Sequence, residues 1–275
     1  MLKTEMRNEA SKHIDRMDTL SMVQLINEEN MNAVRAVEAA SEQIALVCDA
    51  VAERFERGGR LFYIGAGTSG RLGVMDAAEC PPTFGVPADQ VIGIIAGGEK
   101  CMVRAAEAQE DDAKAGENDL RAHTLCEKDV VIGISASGGA SYVVGALEYA
   151  NRLGALSVSL ASNADSPIEH VAKMAIVTDT GAEVITGSTR MKSGTAQKLV
   201  LNMISTCAMI KTGKVYENMM INLKPTNKKL RARMIRIVTE IKNCDEKTAE
   251  RLLDEHNWII RDAVADRSIP SAYGC

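Results

Sequence analysis

Aromatic side chains are scarce in this sequence, at 3% of 275 residues, so whatever core it builds must be mostly aliphatic. There is no excess of positive charge: 32 Lys and Arg stand against 37 Asp and Glu, which lends no support to nucleic-acid binding. The one basic run, "KPTNKKLRARMIR" near residue 230, has helical spacing and reads as a solvated helix face. No C-x-x-C occurs among the seven cysteines at 48, 80, 101, 126, 207, 244 and 275. That pattern suits neither a disulfide framework nor a zinc knuckle, and most of these thiols read as small buried apolar groups. The four histidines, at 13, 123, 170 and 256, are too scattered for a metal site. No stretch reaches the roughly 18 apolar residues of a membrane span, and "MLKTEMRNEASKHIDRMD" is too polar for a signal peptide. A cytoplasmic protein without membrane contact is expected. Internal repeats, low-complexity segments and Pro/Gly-rich linkers are also missing.

What is there is a period that switches repeatedly. Val34, Val37, Ile44, Val47, Val51 and Phe55 recur at helical spacings until Gly58 and Gly59 stop the run. Short β-branched runs follow at residues 60–65, 91–95, 129–135, 155–161 and 174–179, separated mostly by helical patterns. Strands that read as continuous apolar runs are buried on both faces, which predicts a parallel five-stranded sheet in a three-layer α/β/α domain. That domain is expected over residues 45–212, after an N-terminal helical segment (1–44) and before a C-terminal helical region (213–275). The last helix of the central domain, within "TRMKSGTAQKLVLNMISTCAMIKTG", is apolar on all sides in its latter half, as suits a core or a subunit interface. Gly213 should cap it. Two amphipathic helices follow, the second with Asp245 as its N-cap.

The stretch "YIGAGTSGRLG" spells G-x-G-x-x-G with Gly65, Gly67 and Gly70 between an apolar run and a helical one. A dinucleotide site would also need an acidic residue about 20 positions on, at the end of the second strand. None stands there, and the helix after Gly70 is expected to run into Pro81 and Pro82 and stop. The loop still offers close backbone approach and N–H groups at a helix start, a place for an anion, with Thr68 and Ser69 adding hydroxyls. A second loop of the same character, "SASGGAS", places Ser135, Ser137 and Ser141 around Gly138 and Gly139. Each loop alone could be a tight capped turn; the two together, at the carboxyl ends of parallel strands, favour a phosphorylated sugar.

Two groups of acids stand out. Glu79 precedes Cys80, Pro81 and Pro82; at the end of a short helix and beside apolar neighbours, its pKa should be raised and suited to proton donation. A solvated helix-end glutamate is the alternative. Glu107, Glu110, Asp111 and Asp112 are expected on one helix, and spacing alone does not choose between Glu107 and Glu110 as the one facing a crevice.

The segments "GAGTSGRLGVMDAAECPPTFGVP", "TGSTRMKSGTAQK" and "NMISTCAMIKTGKVYENMM" resemble the N-acetylmuramic acid 6-phosphate etherases, a family of the sugar isomerase (SIS) domain superfamily. The likeness covers nearly the whole chain. It implies a lyase that removes D-lactate from N-acetylmuramic acid 6-phosphate, leaving N-acetylglucosamine 6-phosphate, in the recycling of cell-wall sugar. It also implies a cytoplasmic homodimer with no metal or organic cofactor. By resemblance Glu79 matches the general acid and Glu110 the base at C2 of the open-chain sugar. Gly67, Thr68 and Ser69 from the first loop and Ser135, Ser137 and Gly138 from the second are the candidate substrate ligands, with Thr189 and Lys192 as weaker ones. Glu183 is held only as a supporting group. One departure stands in the second loop, where the family's usual "ASGRTPYV" is "ASGGASYV", so that Gly139, Ala140 and Ser141 replace Arg, Thr and Pro.

Two other classes stay open on the sequence. One is a non-catalytic sugar-phosphate sensor resembling glucokinase regulatory protein, against which the pairing of Glu79 with two prolines speaks. The other is a sugar-phosphate isomerase, which would need a different arrangement of bases, or the SIS domain of a transcriptional regulator, against which the lack of a helix-turn-helix segment with a basic face speaks.

Overall fold

The structure, a computed structural model, describes residues 2–104 and 109–266. A polar N-terminal strap with two short 3-10 turns leads into α1 (Thr19–Ala39), whose first turn is capped by Asp18 accepting from the Ser21 amide at 3.1 Å. A break at Ala40 separates α1 from α2 (Ser41–Glu56), so the single helical run expected from Val34 to Phe55 is two helices. Val34 accordingly faces outward while Ile44, Val47 and Val51 are buried. Gly58, at φ +78°, ends α2 as expected.

All five strands form where the apolar runs predict them: β1 (Leu61–Gly65), β2 (Val91–Ile95), β3 (Val130–Ile134), β4 (Leu156–Ala161) and β5 (Met174–Val177). They make one parallel sheet in the order β2-β1-β3-β4-β5. Every residue of β1 and β3 is buried, which is why these strands carry no polar alternation. The connecting helices are α3 (Gly67–Phe84), the one-turn α4 (Lys100–Val103), α5 (Ala113–Ala122), α6 (Ser141–Arg152) and the short α7 (Pro167–Val171). Against one face Phe62, Ile64, Val131, Tyr142, Leu147 and Ile168 form a fully buried aliphatic and aromatic cluster. Each such side chain contributes about 1.5 to 3 kcal/mol of burial. Because β2 and β3 lie on opposite sides of β1, the chain reverses its direction of travel between β1 and β3. The loops leaving those two strands therefore diverge and open a crevice at the carboxyl edge of the sheet.

The long α8 (Lys192–Lys211) ends at Gly213, φ +72°, as the sequence predicts. Two compact units divide the chain, the first being residues 1–78 with 89–208 and the second residues 79–88 with the chain from 209 onward. In the second unit a small hairpin, β6 (Val215–Tyr216) with β7 (Met219–Met220), precedes α9 (Lys228–Lys242), α10 (Glu246–Glu255) and α11 (Ile260–Ala265). Met234, Val238, Leu252, Leu253 and Trp258 form its core, and Lys228, Lys229, Arg231 and Arg236 stand exposed on α9, the solvated face expected. Asp245 caps α10 by accepting from the Thr248 amide at 2.7 Å. The division expected between residues 44 and 45 falls inside the continuous α2. The stop expected at Pro81 does not occur either: α3 continues to Phe84 with both prolines inside it, and residues 79–88 cluster with the C-terminal region.

Candidate functional site

The turn from β1 into α3 is built on glycine for steric reasons. A β-carbon on Gly70 would lie 2.5 Å from the Gly65 carbonyl oxygen, and one on Gly65 would lie 2.9 Å from both the Gly70 nitrogen and the Ile134 oxygen. Gly67 opens the helix at φ +52°. The fingerprint thus packs a helix start against two strands, which leaves Thr68 half-buried and sets the Ser69 hydroxyl against Gln197 of α8, donating to Oε1 at 3.0 Å. The loop from β3 into α6 folds on its own hydroxyls. Gly138 N–H donates to Ser135 Oγ at 3.1 Å and Gly139 N–H to Ser137 Oγ at 3.2 Å.

These two loops meet in a cavity of about 310 Å³. Gly67, Thr68, Ser69, Ser135 and Ser137 all line it, as does Thr189 from the segment before α8. Glu110 lines it too. Its position is not the one expected, because the acidic stretch does not form one helix: Asp112 is the N-cap of α5, accepting from the Ala115 amide at 2.9 Å, and Glu110 lies in the turn before it. The Glu110 carbonyl accepts from the Tyr142 amide at 3.0 Å, which ties that turn to the first turn of α6 and so to the Ser137 loop. Glu107 lies outside the described residues. One lining residue escaped the sequence reading: Glu5, from the strap.

Three candidates are not among the residues that line this cavity. Gly138 is buried beneath the loop at φ +80°, and a β-carbon there would lie 2.3 Å from that of Ser166, so its glycine is required by packing. Lys192 is 1% exposed, and its ammonium pairs with Glu29 at 2.6 Å. It lines a separate cleft of about 570 Å³ together with Lys3, Arg7, Glu29, Arg35 and Asp179. Burial opposes the charge on Glu29, but hydrogen bonds from Lys192 and Asn8 and the ammonium's charge outweigh it and hold the carboxyl below the usual range. Glu79 belongs to the second compact unit. Glu79 is exposed and stands more than a turn before the end of α3, so the helix-end argument for it does not apply.

Glu183, fully buried, accepts from the amides of Lys192 and Ser193. It caps α8 and so holds Thr189 and the helix start in place. Burial, then the Asp119 carboxylate that accepts from its hydroxyl at 2.6 Å, pushes the Tyr142 phenol far up and keeps it neutral. Among the described residues no group of His, Cys, Asp and Glu has the geometry of a metal site. A compact cavity lined by five hydroxyls, helix-start amides and carboxylates can hold an anionic, hydroxylated ligand and move a proton on it.

The comparisons with known proteins agree with this chemistry. Residues 43–151 match the glucokinase regulatory protein N-terminal SIS domain and residues 113–206 the SIS domain. The phosphoheptose isomerase of Neisseria gonorrhoeae shares the fold, with a TM-score of 0.53 over 70% of this chain and 99% of that one at 16% identity. N-acetylmuramic acid 6-phosphate etherases are much more similar. That of Pasteurella multocida is 52% identical over 96% of this chain and 87% of its own length. That of Halalkalibacterium halodurans is 51% identical over 96% of this chain and 88% of its own. At that identity over nearly the full length of both partners, the chain belongs to the N-acetylmuramic acid 6-phosphate etherase family.

Proposed function

We propose that this enzyme cleaves the D-lactyl ether of N-acetylmuramic acid 6-phosphate, giving N-acetylglucosamine 6-phosphate and D-lactate. The observation that carries the site is that Glu110 lines the same cavity as the two hydroxyl-bearing loops. In the open-chain sugar the ether at C3 is β to the aldehyde, so removal of the C2 proton lets the lactate leave. Glu110 takes that proton. Thr68, Ser69, Ser135, Ser137 and the amides around Gly67 hold the phosphate and sugar hydroxyls, fixing C2 before the base. Glu79, by its match to the family pattern, protonates the departing lactate oxygen and then helps water add to the unsaturated aldehyde. Paired acid and base groups are sufficient for both half-reactions.

The enzyme works as a homodimer in the cytoplasm. In support, Leu20, Val23, Met31 and Val34 form an exposed apolar stripe along one side of α1, and no described helix is long and apolar enough to cross a membrane. A second reading, a sugar-phosphate sensor, draws on the match of residues 43–151 to the glucokinase regulatory protein domain. One experiment separates the two. The protein is incubated with N-acetylmuramic acid 6-phosphate in deuterated water, and lactate release and C2 exchange are followed by NMR beside Glu79→Gln and Glu110→Gln. Lactate release is expected, lost in both variants, with C2 exchange surviving only in Glu79→Gln. Saturable binding without lactate or exchange would favour the sensor.

A further inference from the structure

The strap before α1 carries none of the roles above, yet it is fastened at several points to the loops that build the cavity. Thr4 is fully buried. The Lys3 amide donates to Asn163 Oδ1 at 2.8 Å, and Asn163 Nδ2 donates to Thr4 Oγ1 at 3.1 Å and to the Ala136 and Ser137 carbonyls at 3.2 and 3.4 Å. One asparagine therefore joins the strap to the Ser137 loop. Farther along, Asn8 Nδ2 donates to the Ala182 carbonyl at 3.1 Å and Ser11 Oγ to the Val184 carbonyl at 2.7 Å. These bonds join the strap to the segment that leads to Thr189.

Glu5 lies between these anchors. Its carboxylate lines the cavity opposite no described cation, and no described residue donates a hydrogen bond to it. A β-carbon on Gly187 would stand 3.2 Å from Glu5 Oε2, so the carboxylate lies close against the backbone of the segment that leads to Thr189. A carboxylate accepts hydrogen bonds and donates none, and it repels phosphate. The complement it fits is a sugar hydroxyl or an amide N–H, presented by the uncharged end of the ligand.

We infer that Glu5 is a substrate-contacting, specificity-determining residue whose carboxylate accepts a hydrogen bond from a hydroxyl or acetamido N–H of the sugar phosphate, while the Thr68 and Ser137 loops hold the phosphate. The inference rests on the sugar-phosphate reading of the site given above. The strap thereby completes the site, and a stretch of chain outside the sheet selects for the sugar.

The test measures dissociation constants for N-acetylglucosamine 6-phosphate and for inorganic phosphate, by calorimetry, on the full chain and on Glu5→Ala and Glu5→Gln. Glu5 is exposed, so neither change threatens folding. Loss of a charge-assisted hydrogen bond should weaken sugar-phosphate binding by about 10-fold to 100-fold in Glu5→Ala, with a smaller loss in Glu5→Gln, which keeps an acceptor. Phosphate binding should stay the same or tighten. Unchanged affinity for the sugar phosphate overturns the inference, and so does an equal loss for both probes, which would mark the strap as merely structural. If the unaltered protein binds neither probe, the sugar-phosphate reading itself falls and the inference with it.

Discussion

The Glu183 carboxylate closes the N-terminus of α8: Oε2 accepts from the Lys192 amide at 3.0 Å and Oε1 from the Ser193 amide at 2.9 Å. A fully buried acid is thus balanced by two backbone donors and the positive end of a 20-residue helix. Replacing Glu183 by Ala would strand both donors in the interior. Glu183→Ala should cost about 2 to 4 kcal/mol of folding stability, and Glu183→Gln less, as measured by denaturant unfolding. A loss under about 0.5 kcal/mol would mean the cap is dispensable.

The Glu29–Lys192 pair predicts an acid limb in stability. Glu29 ionises below its ordinary value of 4.5 in the folded chain, so its stabilising contribution is fully present above that value and is lost as pH falls through the lower folded value. Asp129 behaves alike: burial opposes its charge, but hydrogen bonds from Arg60 and from backbone amides hold it below 3.8. Thermal stability should therefore be flat with respect to these groups above about pH 5.5 and decline below about pH 4. Glu29→Gln should remove part of that decline. A variant curve that parallels the unaltered protein's would rule Glu29 out as a contributor.

The sheet could be read from the sequence because strands buried on both faces must be apolar throughout, and Leu61–Gly65 and Val130–Ile134 are. The hydroxyl loops were legible for a related reason: glycines clustered after a strand mark a backbone approach that only glycine permits. Three things were not. Pro81 and Pro82 ordinarily end a helix, yet α3 carries them to Phe84, so local propensity misplaced Glu79 relative to the helix end. The acidic stretch reads as a helix face until Asp112 is seen to spend its side chain on capping α5, which places Glu110 in a turn. Glu5 gave no periodic sign at all, because its position is set by the pairing of Thr4 with Asn163, far away in sequence.

The glycine fingerprint makes a prediction about shape. A β-carbon at Gly70 would intrude on the Gly65 oxygen at 2.5 Å and on Ile95 Cγ1 at 2.8 Å, and the helix start has no slack on the strand side. Gly70→Ala should destabilise the fold by about 1 to 3 kcal/mol and lower activity together, because the Thr68 and Ser69 hydroxyls move with the turn. Calorimetric melting beside lactate release checks both. Full activity with an unchanged melting temperature would show that the turn can relax.

Thiol chemistry offers an independent check on the packing of α2 against α8. Burial, then the neighbouring Cys207, pushes the Cys48 thiol up to about 12, and its Sγ donates to the Met203 carbonyl at 3.8 Å. A thiol so shielded is almost wholly protonated at neutral pH and a poor nucleophile. Alkylation at pH 8 followed by peptide mapping should leave Cys48 unmodified in the folded protein and modify it once denaturant is added. Rapid labelling of Cys48 in the folded state would contradict this packing.

The altered loop gives the sharpest test of where the phosphate binds. Gly139, where the family usually carries arginine, is exposed, and its β-carbon would meet nothing nearer than Ser137 Oγ at 3.7 Å. Its φ is also not in the left-handed region, so Gly139→Arg is sterically open. A guanidinium there could reach a phosphate held by the Ser135 and Ser137 hydroxyls and add a charge-assisted hydrogen bond of about 1.5 to 3 kcal/mol. KM for N-acetylmuramic acid 6-phosphate should then fall by about tenfold or more with kcat little changed, since the contact is made equally in ground and transition states. An effect on kcat alone would place the guanidinium near the reacting carbons instead. No effect on either constant would put the phosphate at the Thr68 loop, out of its reach.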